Sequence, residues 1–342
     1  MQLKGLKVVV WSVACLSVFA TSAFAQSAYE IPRTLDGKPD LQGVWDFRTL
    51  TPLQRPEDQE SAVLTAEEAA ELDSQAAARE VEAFTPSAVR NEPLPAGGDV
   101  GAYNQYWVDQ GAAVVDDQRT SLITDPPDGR VPPLRPGFEM VELSLGEDRP
   151  GTRPVRVRAA GIGADSYEDR GLAERCLLGF NSGPPIVPAG YNQNMQIFQT
   201  PTHVVILHEM VHDARVVPLD GRTHLPDTLH QWMGDSRGHW DGDTLVVETR
   251  NFTDKTASFN PSVATGAGDG TTLHLTERFW RVSDNTLMYE FTVDDPVTFT
   301  KPFTAALPMK RGEGMYEYAC HEGNYGLLNI LAGARVEEKA TQ

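Results

Sequence analysis

Thr272-Leu273-His274-Leu275-Thr276-Glu277-Arg278-Phe279-Trp280-Arg281-Val282, then Ser283-Asp284-Asn285, then Thr286-Leu287-Met288-Tyr289-Glu290-Phe291-Thr292-Val293 is the stretch on which the fold turns. Apolar and aromatic residues recur through both halves at alternate positions, the pattern of two antiparallel strands around a polar turn. With Val282 opposite Leu287, Trp280 lies beside Tyr289 and Arg278 beside Phe291. That register puts Val282, Trp280, Leu287, Tyr289, Phe291 and Val293 on one face. Phe279, Leu275 and Met288 fall on the other, with Glu277, Glu290 and Arg281.

The same texture extends in both directions. Upstream, Arg237–Trp240 and Thr244–Arg250 flank Asp241-Gly242-Asp243, and Asp-Gly between strand-like runs is a strong hairpin signal. Met195–Gln199 and His203–His208 form a further hairpin around Thr200-Pro201-Thr202, followed by Arg215–Leu219. Downstream come Phe299–Ala305 and Met315–Cys320. Closely spaced short strands with meandering connections predict a mainly β protein whose residues 191–342 close into an antiparallel β-barrel. Residues 26–190 read as an N-terminal strand, helices and loop-rich wrapping. Thr65-Ala66-Glu67-Glu68 is a capping box opening an alanine-rich helix to about residue 83. Tyr167–Leu178 is expected to form a second helix carrying Cys176.

Residues 1–25 have the form of a signal peptide: Lys4 and Lys7, an apolar run Val8–Phe19, and Ala23-Phe24-Ala25 as cleavage site. The chain of 342 residues carries a formal charge of −19, which argues against nucleic acid or anionic lipid as partner. No later stretch reaches the ~18–20 apolar residues of a membrane span. Cys15 lies within the signal, so Cys176 and Cys320 remain, and in an oxidising compartment they predict one disulfide.

Several runs carry a resemblance. Arg119-Thr120-Ser121-Leu122-Ile123, Val216-Val217-Pro218-Leu219-Asp220-Gly221-Arg222-Thr223-His224, Gly234-Asp235-Ser236-Arg237-Gly238-His239-Trp240-Asp241-Gly242-Asp243-Thr244-Leu245-Val246-Val247-Glu248-Thr249 and Cys320-His321-Glu322-Gly323-Asn324-Tyr325 resemble an uncharacterised family of secreted bacterial proteins. The resemblance implies a periplasmic or extracellular setting and brings no catalytic residues. Gly43-Val44-Trp45 is similar to the opening of lipocalin-like barrels, where the tryptophan closes the barrel floor. That likeness is one of architecture and does not fix function.

His208-Glu209-Met210-Val211-His212 matches the zinc-peptidase pattern, in which two histidines one helical turn apart hold a zinc ion and the glutamate activates its water. Against a helix stand the β-branched runs Val204-Val205-Ile206 and Val216-Val217, the charged Asp213, and the lack of a third ligand at familiar spacing. On a strand the two histidines would stand ~13 Å apart, too far to share one ion. The leading expectation is therefore a small, partly apolar ligand in an interior pocket of the barrel. Acid–base chemistry of a lyase, hydratase or hydrolase kind would come from His212, Asp213 and Arg215 with His321 and Glu322. A zinc metallohydrolase using His208, His212 and Glu209 is the competing reading, and a non-catalytic carrier or scaffold the third. Asp213–Arg215 and Asp235–Arg237 are expected as ion pairs between or along strands. No phosphate cradle, nucleotide fingerprint or Gly-x-Ser-x-Gly elbow is present in the sequence.

Overall fold

The computed structural model describes residues 29–85, 108–109, 111, 113–142 and 163–341, so the signal-like segment lies outside the described residues. The chain divides into units of residues 1–30 and 31–342, and everything below belongs to the second. Its strands in chain order are β1 (Gly43–Asp46), β2 (Ile123–Asp125), β3 (Val141–Glu142), β4 (Asn194–Gln199), β5 (His203–His208), β6 (Ala214–Pro218), β7 (Asp235–Asp241) and β8 (Thr244–Arg250). There follow β9 (Phe259–Ser262), β10 (Thr265–Ala267), β11 (His274–Ser283), β12 (Thr286–Asp294) and β13 (Phe303–Arg311). Helices α1 (Ala66–Phe84) and α2 (Tyr325–Ala340) flank them in sequence.

Nine strands form a nearly closed barrel in the order β6-β5-β4-β1-β13-β12-β11-β8-β7, each antiparallel to its neighbour, with β2 added beside β13. Eight antiparallel steps leave the two end strands, β6 and β7, running in the same direction. They meet through side chains at a seam. Gly238 of β7 makes that approach possible, because a Cβ there would lie 2.7–2.8 Å from Leu219 and Val217. A separate small sheet is built from β3, β10 and β9.

The central hairpin differs from the expected register by one residue. Arg281 pairs with Leu287, Trp280 with Met288, Phe279 with Tyr289 and Glu277 with Phe291, while Ser283 pairs with Thr286 across Asp284-Asn285. The ladder shifts between Arg281 and Ser283, making Val282 the extra residue of a β-bulge. A one-residue slip exchanges the faces of a strand. Leu275, Glu277, Phe279 and Arg281 therefore point inward with Leu287, Tyr289, Phe291 and Val293, all at 7% exposure or less, and Val282 is out in solvent.

Three further elements depart from the sequence reading. Tyr167–Leu178 is a short 3₁₀ turn at Tyr167–Asp169 followed by turns, not a helix. Ser166 and Asp169 cap each other's backbone, and such local side-chain bonds compete with helix propagation. Met315–Cys320 joins no sheet; its alternate N–H groups at Tyr316 and Tyr318 donate instead to the side chains of Glu209 and His212. Helix α2, capped by Asn324 accepting from the Leu327 N–H, stands where the sequence reading places only barrel strands. Helix α1 opens as expected on Thr65 and Glu68, which cap one another reciprocally.

The barrel is closed at one end by Trp45. Its indole Nε1 donates to Leu41 O at 2.9 Å, and the guanidinium groups of Arg281 and Arg311 each lie 5.1 Å from its ring centroid. Gly43 adopts φ +131°, and a Cβ at that position would collide with the Arg311 side chain. The other end is stopped by residues 179–188, whose Ile186 is fully buried. Between the two ends Phe279, Tyr289, Phe291, Phe303, Met195, Ile206 and Val217 fill the interior at 3% exposure or less.

Candidate functional site

The His-Glu-x-x-His segment folds as the end of β5 and one 3₁₀ turn at Met210–His212, with β6 beginning two residues later at Ala214. Val211 and His212 have φ of 62° and 54°, which no α-helix tolerates, so the helical face required by the zinc-peptidase reading is not formed. His208 is buried, its ring edge-on to Phe47 at 6.4 Å, whereas His212 is exposed and accepts from the Tyr318 N–H at 3.2 Å. Glu209 is buried and engaged twice, by Asn194 Nδ2 at 2.7 Å and the Tyr316 N–H at 3.0 Å. Among the described residues no three His, Cys, Asp or Glu side chains gather into a metal-binding group.

Asp213 and Arg215, expected to pair, face different partners. Asp213 Oδ2 accepts from the Gly179 N–H at 2.9 Å and from Ser182 Oγ at 2.7 Å, and so ties the stopper to the β5–β6 turn. Arg215 points into the barrel and grips Glu277 with both terminal nitrogens. Tyr289 Oη donates to Glu277 Oε1 at 2.8 Å and accepts from the Ile186 N–H at 3.0 Å. Burial works against the Arg215 charge, but the adjacent Glu277 outweighs it and raises the guanidinium pKa. Burial, reinforced by the Glu277 charge, holds the Tyr289 phenol well above its usual range. This network occupies the place where the sequence suggested a ligand-holding hollow.

Cys176 and Cys320 form the expected disulfide, with Cα atoms 5.9 Å apart. His321 and Glu322 beside it are exposed and are not brought to Asp213 or Arg215 by any bond among the described residues. The five proposed acid–base residues are thus dispersed over the interior, the stopper anchor and the C-terminal tail. Asp235 and Arg237 pair as expected, at 2.6 Å, and the pair has a third member that no local sequence signal announces: His224 Nδ1 lies 2.9 Å from the other oxygen of Asp235. The carboxylate accepts there, so Nδ1 is the donor.

Cavities of ligand size lie outside the barrel, against α1. One, of about 460 Å³, runs between the helix and the barrel wall. Ala76, Arg79, Glu80, Ala83 and Phe84 line it from the helix, Asp46 and Arg48 from β1 and its exit, Pro308 and Lys310 from β13, and Asp109 and Val114–Asp116 from the connecting segment. The helix positions recur at three- and four-residue steps, a single helical face. Here Arg48 is paired with Asp46 and Asp109, and Lys310 with Asp116. A second hollow of about 460 Å³ shares Thr49 and Arg79 with the first. It is walled by Leu50, Thr51, Pro52, Leu53, Leu72, Leu122, Pro188, Ala189, Gly190 and Gln193. The crevice at the stopped end, beside Phe180, Pro184, Pro185 and Trp232, has about 20 Å³, room for a water and no more.

No family model matches the chain, and no curated protein matches it.

Proposed function

We propose that this is an extracytoplasmic binding protein that holds a small, partly apolar molecule in the trough between α1 and the outer wall of the barrel. The observation that carries the reading is the inward face of α1. Ala76 is buried against the wall, while Arg79, Glu80 and Ala83 on the same face border about 460 Å³ of open space. Small-molecule sites typically have volumes of several hundred Å³ and mix apolar walls with a few polar groups. The short side chain of Ala83 leaves open what a longer one would fill. The barrel interior supports ligand binding less well, because Ile186, Tyr289 and their neighbours already occupy it. Export is supported by the form of residues 1–25, by the Cys176–Cys320 bridge and by the resemblance to secreted bacterial proteins. No helix among the described residues is long and apolar enough to cross a membrane.

Ala83→Leu tests the reading. If the trough is only a packing gap, the larger side chain covers apolar wall and raises the melting temperature by a few degrees, about 1 kcal/mol, with nothing else altered. If it is a binding site, native mass spectrometry of the wild-type mature protein shows a retained or added small molecule that Ala83→Leu no longer takes, although the variant is folded. Ligand uptake undiminished in Ala83→Leu would overturn the assignment.

A further inference from the structure

We infer that the apolar half of the trough selects a monoanion with an aliphatic or aromatic body, a small carboxylic acid being the simplest case, with Arg79 as its recognition residue. The inference rests on the binding reading above and adds the chemistry of the ligand. Its first support is the composition of the wall. Leu50, Leu53, Leu72, Leu122, Pro52 and Pro188 surround the hollow, and Arg79 is the single charged side chain among the described residues that line it.

The second support is that the other polar side chains there are already engaged. Thr51 Oγ1 accepts from the Val115 N–H at 3.0 Å, Gln193 Oε1 from the Ala189 N–H at 2.8 Å, and Thr49 Oγ1 from the Thr51 N–H at 3.1 Å. Arg79 makes no ion pair among the described residues, in contrast to Arg48 and Lys310 in the neighbouring hollow, each matched to a carboxylate. In a chain of net charge −19, an unmatched guanidinium at the edge of an apolar hollow is a local exception. A guanidinium presents its donors in a planar fork that fits a carboxylate through two parallel bonds. The neighbouring leucines and prolines would take the apolar remainder of the molecule.

Calorimetry on the mature protein with octanoate, octan-1-ol and octyltrimethylammonium separates the contributions. Octanoate is expected to bind, the alcohol at least about tenfold more weakly, and the cation more weakly still. Arg79→Gln should weaken octanoate by about tenfold or more and leave octan-1-ol unchanged, and Arg79→Lys should recover part of the loss. Octanoate and octan-1-ol bound with equal affinity, both abolished by Leu72→Trp, would overturn the anion assignment while the trough reading stood. No binding of any of the three probes would overturn the ligand class too, and the Ala83→Leu mass-spectrometric result would then decide the trough reading independently.

Discussion

Glu277 has no solvent exposure and three hydrogen bonds, two from Arg215 and one from Tyr289. A buried ion pair contributes little net stability against a well-packed apolar pair, but losing one partner strands the other charge. Glu277→Ala is accordingly expected to cost about 3–5 kcal/mol, read as a fall in the urea midpoint. The double replacement Arg215→Met with Glu277→Leu should lie within about 1 kcal/mol of wild type or above it. Tyr289 adds a pH signature. Its folded pKa is raised above the unfolded value of 10.0, so its contribution is complete below that value. It is lost as pH climbs from there through the folded pKa. Tyr289→Phe should be about 1–3 kcal/mol less stable at neutral pH, since it leaves Glu277 and the Ile186 N–H each short of a bond. Its urea midpoint should nevertheless fall less steeply than that of wild type above pH 10, which a comparison at mildly and strongly alkaline pH would check. Arg215 was legible in the sequence as part of a charged run, and its partner was not. Placing Glu277 opposite it requires the whole strand order, and the bulge at Val282 moves Glu277 to the face opposite the one that alternation suggested.

Among the elements, the stopper depends on Asp213 more than on its own chain. Asp213→Ala removes the acceptor for Gly179 and Ser182, and the amides of residues 179–188 are expected to exchange with solvent about tenfold faster or more. Those of β12 should keep their protection. Unchanged exchange at 179–188 would mean that Ile186 alone secures the segment. Local signals explain which elements could be read in advance. Thr65 with Glu68 announces α1, and Asp241-Gly242-Asp243 announces the β7–β8 hairpin, because each motif completes its hydrogen bonds within a few residues. Tyr167–Leu178 departs from the expected helix because the Ser166–Asp169 cap is equally local and closes a turn rather than opening a helix. The trough was invisible at that level. Its walls come from residues near 50, 75, 122 and 190, which nothing but the tertiary fold assembles.

For the molecule as a whole, the parallel seam is the weakest join in the barrel. Every other pair of neighbours in the nine-strand order is held by a ladder, whereas β6 and β7 meet through Val217, Leu219 and Gly238. Gly238→Val pushes those side chains apart and is expected to cost about 1–3 kcal/mol, with faster hydrogen exchange along β6 than along β12. A variant as stable as wild type would show that the seam has slack. The disulfide acts at the same scale, joining segments 144 residues apart. Its removal in Cys176→Ser with Cys320→Ser should lower stability by up to about 5 kcal/mol by the chain-entropy argument.

The position of β1 has a consequence for how such a chain is made. β4 to β6 form one meander, β7, β8 and β11 to β13 supply the other, and the two are joined through β1, which pairs with Met195 on one side and Arg311 on the other. The ribosome therefore delivers the clasp first and its second partner only after every other strand of the barrel. Until β13 has followed, a nascent polypeptide of this kind cannot complete its cylinder, and contacts so distant along the chain form slowly. Closure is thus the final event open to the barrel, whatever the order in which its hairpins form.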